Sequence, residues 1–226
     1  MSCWRSLFWH SPHRCRCVHP QPAFADHWNS FSEPQHVDIR NYLLTFLANK
    51  GPSLQPFAVT SVVQLLCRIT KYAWFDTEGA AIRDIVSETK KFLQATIMHC
   101  VIGMRILNEL VTEMNVRNRN RTLTQQRKVA VSFRDTALLQ AFEVSLSMLN
   151  QIATRSIQLE GLPPQEAARV EDALLEQALS LLNGCLNFDF IGAQQGSPTH
   201  CTVFHYECAQ YCTPVASLRP RFRAIL

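Results

Sequence analysis

Ten side chains able to hold a metal gather at the two ends of the chain: His10, His13, Cys15, Cys17 and His19 near the start, and His200, Cys201, His205, Cys208 and Cys212 near the end. Zinc takes four thiolate or imidazole ligands in a tetrahedron, usually as two close pairs held by short turns. Cys15-Arg16-Cys17 leaves only one residue between its thiols, tighter than the usual knuckle. Cys208 and Cys212, with Cys201 and His205, come nearer to it. A small zinc-binding regulator is therefore one reading of these clusters, and irregular sequence of biased composition is the other; the spacing favours the second. Nine cysteines, an odd number, argue against a disulfide framework. Cys67, Cys100 and Cys185 fall inside apolar stripes, where a thiol behaves as a small core hydrophobe.

A second cluster carries charge. Between Asn115 and Arg134 stand Arg117, Arg119, Arg121, Arg127, Lys128 and Arg134, with no acid among them. Such a run can meet phosphates, an acidic protein surface or an import receptor. Aromatic platforms for stacking on bases are missing until Phe133, so an acidic protein is the better partner and nucleic acid is not expected. The plainer alternative is a solvated loop between structural repeats. No Gly-rich phosphate loop, G-x-S-x-G elbow or H-E-x-x-H occurs, so no enzyme and no cofactor are expected. His99, on an apolar run, reads as a satisfied core histidine. Asp189, between Phe188 and Phe190, reads as a turn or cap acid rather than a catalyst.

The elements that must position these groups are helical. The chain of 226 residues is 47% apolar yet has only seven glycines, which suits helices better than a turn-rich sandwich. Val59, Val62, Val63, Leu66, Ile69 and Ala73 recur at spacings of three and four, as do Ile82, Ile85, Val86, Phe92 and Leu93. The same stripe returns in Ile97–Met114, in Leu138–Ile152 and in Val170–Cys185, and a shorter helix carries Ile39, Leu43, Phe46 and Leu47. Gly51-Pro52 parts the first two helices, Asp76 to Gly79 closes the second, Ser132 to Asp135 offers N-caps to the fifth, and Pro163-Pro164 opens the sixth. Hairpins starting near 37, 79 and 135 have the period of a HEAT or armadillo solenoid. The longest apolar stretch, Ile97 to Val111, is broken by His99, Arg105, Asn108 and Glu109, so no membrane insertion is expected. A basic N-terminus broken by Pro12, Pro20 and Pro22 makes neither a presequence nor a secretory signal, and an intracellular setting is the default.

Within this frame "RNYLLTFLANKGPSLQPFAVTSVVQLLCRITKYAWFD" (40–76), "FLQATIMHCVIGMRILNELVTEMN" (92–115), "LTQQRKVAVSFRDTALLQAF" (123–142) and "CLNFDFIG" (185–192) together resemble the N-terminal part of the exportin-7 family, Ran-binding members of the importin-β superfamily. The resemblance runs over about residues 37–192. It implies an all-α superhelix of about three HEAT-like hairpins over 36–192, with irregular termini at 1–35 and 193–226. It also implies a nuclear export receptor that binds Ran-GTP and protein cargo, passes nucleoporins and shuttles between nucleus and cytoplasm. Second helices of hairpins line the concave surface in that family, which makes Arg68, Lys71 and Arg105 candidate partner-binding residues, with Arg127, Lys128 and Arg134 in the loop beside them. Family members are several times longer, so the chain reads as a fragment or truncated product. A HEAT-repeat interaction scaffold without transport activity is the alternative function.

Overall fold

The computed structural model of the chain describes residues 28–76, 82–116, 121–157, 159 and 161–188. Residues 1–32 form one unit, of which a short 3₁₀ turn at Trp28–Ser30 is described; everything below concerns the second unit, from Glu33 onward. All its described elements are helices, as the apolar periodicity predicts. Helix α1 spans Glu33–Lys50, with an acid in its first turn and a lysine in its last, each on the favourable end of the helix dipole. It is longer than the short helix expected from the stripe beginning at Ile39. Gly51–Ser53 makes a 3₁₀ turn, and α2 runs from Pro56, where a missing N–H costs nothing, to Tyr72. Helix α3 covers Ile85–Leu93 and α4 covers Ile97–Asn115.

The fifth stripe corrects the expectation of a helix beginning near 135. Helix α5 begins at Leu123, continues through a π-helical turn at Arg134–Leu138 and passes without a break into α6, Leu139–Ala153. The cause is a capping box. The Thr122 hydroxyl accepts from the Gln125 backbone N–H at 3.3 Å, and the Gln125 side chain accepts from the Thr122 N–H at 3.1 Å. Two orphan donors are thereby satisfied thirteen residues before the expected start, 135 minus 122, and Ser132 to Asp135 lie inside the rod rather than capping it. Thr122→Ala is expected to cost about 1 kcal/mol, read as a lowered urea midpoint with unchanged slope. An unchanged midpoint would show that the box is not closed in solution.

Helix α7, Pro164–Leu186, opens on its expected proline pair. The helices pack as neighbours in pairs: α1 on α2, α3 on α4, and α6 on α7. Across the pairs α4 lies between α2 and α7, so the three second helices form one continuous layer. This is the side-by-side arrangement of a helical solenoid, in which each hairpin buries its apolar faces only against its neighbours. The core runs through it as Leu66 and Ile69 of α2, Ile106, Leu107 and Leu110 of α4, and Leu174, Ala178 and Leu181 of α7, all fully buried. Gly103 sets the spacing of α3 on α4: a Cβ there would lie 3.1 Å from the Phe92 Cβ and closer still to Leu93.

Candidate partner-binding surface

The polar faces of α2, α4 and α7 come together along one strip of the second-helix layer. Thr60 of α2, Arg105, Asn108, Glu109 and Thr112 of α4, and Gln177 and Ser180 of α7 line a cleft of about 340 Å³. The spacing in α4 places 105, 108, 109 and 112 on one face, opposite the buried Ile106, Leu107, Leu110 and Val111. Arg105 Nη1 donates to the Thr60 hydroxyl at 3.1 Å and more weakly to the Pro56 carbonyl at 3.4 Å, tying α4 to α2. Asn108 ties α4 to α7: its amide donates to Gln177 Oε1 at 3.2 Å, while the Ser180 hydroxyl donates to Asn108 Oδ1, also at 3.2 Å. One residue of α4 thus joins each flanking helix, and Glu109 stands between them. Burial, reinforced by the Glu113 carboxylate and opposed by Arg68, holds the Glu109 carboxyl above the usual carboxylate range.

Further along the strip Arg68 Nε sits 3.8 Å from Glu113 Oε2. Lys71 turns inward. It is 3% exposed, and its ammonium donates to the Glu113 carbonyl, to the Val116 carbonyl at 2.6 Å and to the Glu113 carboxylate at 3.4 Å. It caps the C-terminal end of α4, where the last carbonyls have no partner within the helix. Burial lowers its pKa, and the Glu113 charge and hydrogen bond oppose that shift. Arg121 repeats the device one helix back. Its guanidinium donates to the carbonyls of Lys71 and Tyr72 at the end of α2 and stacks 4.6 Å from the centre of the Tyr72 ring. Arg83 donates to the Trp74 carbonyl at 2.8 Å.

Of the six residues singled out from sequence, the structure brings Arg68, Lys71 and Arg105 to the α2/α4 seam and the others elsewhere. The loop expected to hold Arg127, Lys128 and Arg134 is, from Leu123 onward, helix α5 and the π turn. Arg127 and Lys128 are exposed on α5, and Arg134 Nε pairs with Asp135 Oδ1 at 2.6 Å. Sequence reading missed Thr60, Asn108, Glu109, Gln177 and Ser180. For α4 the signal was present, since its polar residues share one face; joining it to Gln177 and Ser180 needs the packing of α4 on α7. His99 bridges helices as a satisfied side chain, its Nε2 donating to the Ala48 carbonyl at 2.8 Å and its Nδ1 accepting from Thr96 Oγ1 at 2.6 Å.

Among the described residues no group of three or more His, Cys, Asp or Glu side chains could hold a metal ion; the terminal Cys/His clusters lie outside those residues, as do Asp189, Phe190 and Ile191. Burial pushes the Cys67 thiol well above its ordinary pKa and the Cys100 thiol up to about 11, so both stay protonated at neutral pH. No helix among the described residues is long and apolar enough to cross a membrane.

By sequence the chain is similar to proteins named as exportins and Ran-binding proteins. Ran-binding protein 17 from Homo sapiens is 38% identical over 173 residues, which is 75% of this chain and 15% of that one. Exportin-7-A from Xenopus laevis is 40% identical over 173 residues, with the same shares of each chain. Over that stretch the chain is exportin-7-like. Ran-binding protein 16 from Drosophila melanogaster extends the match, at 38% identity over 164 residues, covering 70% of this chain and 14% of that one. The exportin-7-like chain thus spans about one-seventh of the length of the curated relatives it matches. No family model matches it. No solved structure matches it either.

Proposed function

We propose that the chain acts as a segment of a nuclear export receptor, binding Ran-GTP and protein cargo through the polar strip of α2, α4 and α7 and carrying no catalysis. The observation that supports this is the cleft itself: α4 joins both neighbouring second helices through Arg105 and Asn108, which makes a continuous, pre-organised polar surface on one layer of a solenoid. On this reading the repeat segment begins with α1 at Glu33, three residues before the expected 36, and runs to about residue 192. Arg68 and Arg105 face an acidic partner, Lys71 holds the end of α4 beneath them, and Arg127, Lys128 and Arg134 offer a second basic contact on the α5 rod. Shuttling between nucleus and cytoplasm, with passage across nucleoporins, follows from the same role.

Retention of purified Ran on the immobilised chain tests it. Ran loaded with a non-hydrolysable GTP analogue is expected to be retained and Ran-GDP not, with Arg68→Glu and Arg105→Glu together weakening retention about tenfold, as charge reversal in a complementary interface does. Equal retention of both nucleotide forms would refute the transport reading. A scaffold without transport activity is favoured by one feature, the exposure of Tyr42 and Phe57 at 68% and 75%, since large exposed aromatics suit protein contacts. It predicts partner capture that ignores the nucleotide.

A further inference from the structure

Glu109 is the charged group that the internal bonding of the cleft leaves over. Arg105, one turn earlier on the same face, is committed to Thr60 and Pro56 of α2 and makes no ion pair with Glu109. Glu113, one turn later, is engaged by Arg68 and Lys71. From α7 the lining groups are Gln177 and Ser180, both neutral, and both are tied to Asn108 rather than to Glu109. Among the described residues no hydrogen-bond donor meets the Glu109 carboxylate, yet it is half-buried beside a cleft of about 340 Å³. The lining carries one cation, Arg105, whose guanidinium is turned to α2, and one carboxylate, Glu109, which also feels the Arg68 charge; the other walls are amide and hydroxyl, and together with the open space they form a receptor for one positively charged side chain.

We propose that this cleft takes a lysine or arginine side chain from a protein partner, with Glu109 as its counter-charge and Thr60, Thr112 and Gln177 around its stem. This deepens, and rests on, the reading of the α2/α4/α7 layer as the partner-facing one. It gives the strip a mixed requirement: an acid on the partner for Arg105 and a base for Glu109, one helical turn apart. Burial and Glu113 disfavour the Glu109 carboxylate more than Arg68 favours it, and an incoming cation makes up the difference. A charge pair formed on binding out of full water contact is worth more than one on an open surface.

The test uses the full chain and two fluorescent peptides of equal length, glycine interspersed with arginine or with glutamate, followed by anisotropy. The arginine peptide is expected to bind, Glu109→Gln to weaken it about tenfold, and Arg105→Gln, which removes a like charge from the cleft, to tighten it. Affinity is also expected to fall as pH drops through the raised Glu109 pKa, because protonation removes the counter-charge, and Glu109→Gln should lose that dependence. Equal binding of the arginine peptide by parent and Glu109→Gln, or equal binding of the glutamate peptide, would overturn the proposal. Glu109→Gln is expected to keep the helical content and cooperative melting of the parent at neutral pH, since among the described residues the carboxylate accepts no hydrogen bond and only the Arg68 charge favours its ionised form, so weakened binding beside a retained fold cannot be ascribed to unfolding. Ran retention reads the transport role separately. Its failure beside a positive peptide result would remove that role and leave the cleft, and the reverse pair of results would remove the cleft and leave the role.

Discussion

Trp74→Ala is expected to cost about 3–5 kcal/mol of stability, the range for truncating a fully buried large aromatic. Trp74 lies just past the end of α2 with no exposure to solvent. Its ring stands edge-on to Phe133, with centroids 5.7 Å apart at 69°, and Phe133 lies 5.7 Å from Phe188 beyond the end of α7. Its indole N–H donates to the Ser132 hydroxyl at 3.0 Å, just before the π segment. Trp74 therefore joins the end of α2 to the α5–α6 rod, and Phe133 carries the contact on to the chain after α7, three places far apart in sequence. Truncation removes the buried area, leaves a cavity between elements whose backbones are held by their own helices, and orphans Ser132. Trp74→Phe separates these contributions: it keeps most of the volume and loses the hydrogen bond, and about 1–2 kcal/mol is expected. Urea unfolding of both variants followed by circular dichroism checks the pair. A loss under about 1 kcal/mol for the alanine variant would mean that the rod and α7 stay docked without Trp74.

How much of this could be read beforehand depends on what kind of force places each residue. Val59 to Ala73, Ile97 to Met114 and Val170 to Cys185 declare themselves because burial of one helix face is periodic and needs no knowledge of the partner. Helix α5 failed that test. Its exposed face carries Leu123 and Val131 beside Arg127 and Lys128, so its apolar stripe is blurred, and the basic residues drew attention to solvent and partners. Thr122-Leu123-Thr124-Gln125 nevertheless holds the capping-box pattern, and with it α5 could have been started at the right residue. The π turn at Arg134–Leu138 has no comparable pattern, because Phe133 and Leu138 both face inward at a spacing of five that no regular stripe contains. Buried cations were the deeper obstacle. Arg40 is 4% exposed, with two guanidinium nitrogens lacking hydrogen-bond partners among the described residues, and Lys71 is 3% exposed; both stand on the buried stripe of their helices, with Leu43, Leu44 and Leu47 and with Val63 and Cys67, where their residue type argues against burial. For Lys71 and Arg121 the reason is that a long side chain can bury its stem and deliver its donors to another helix's last carbonyls. That helix is identified only by packing, and so is the cleft that unites Glu109 with Gln177.

Lys71→Ala is accordingly expected to destabilise the chain by about 2–3 kcal/mol at neutral pH, through the uncapped Glu113 and Val116 carbonyls rather than through a stranded carboxylate. Both acceptors sit at the end of α4, where the helix supplies no further N–H, and a methyl group cannot reach them. Arg68 stays within 3.8 Å of the Glu113 carboxylate, so the acid is not stranded and the loss is that of the cap. The pH dependence gives a second, independent reading. Burial is the largest influence on Lys71, and its folded pKa is lowered from 10.5. Between that lowered value and the unfolded one the unfolded chain binds more protons than the folded chain, so stability rises with pH across the window. Below the window both states carry the ammonium and the parent bears the full cost of burying it; towards the top the folded state holds a neutral amine that still donates to two carbonyls. The advantage of the parent over Lys71→Ala should therefore grow as pH approaches 10.5, in urea titrations run at neutral and alkaline pH. A flat difference would place the Lys71 ammonium in water, and a shrinking one would mean that its carbonyl and Glu113 partners outweigh burial; either would overturn the lowered pKa. Lys71→Met, which restores the apolar stem without the donors, should recover the packing part of the loss and none of its pH dependence, tying that dependence to the ammonium.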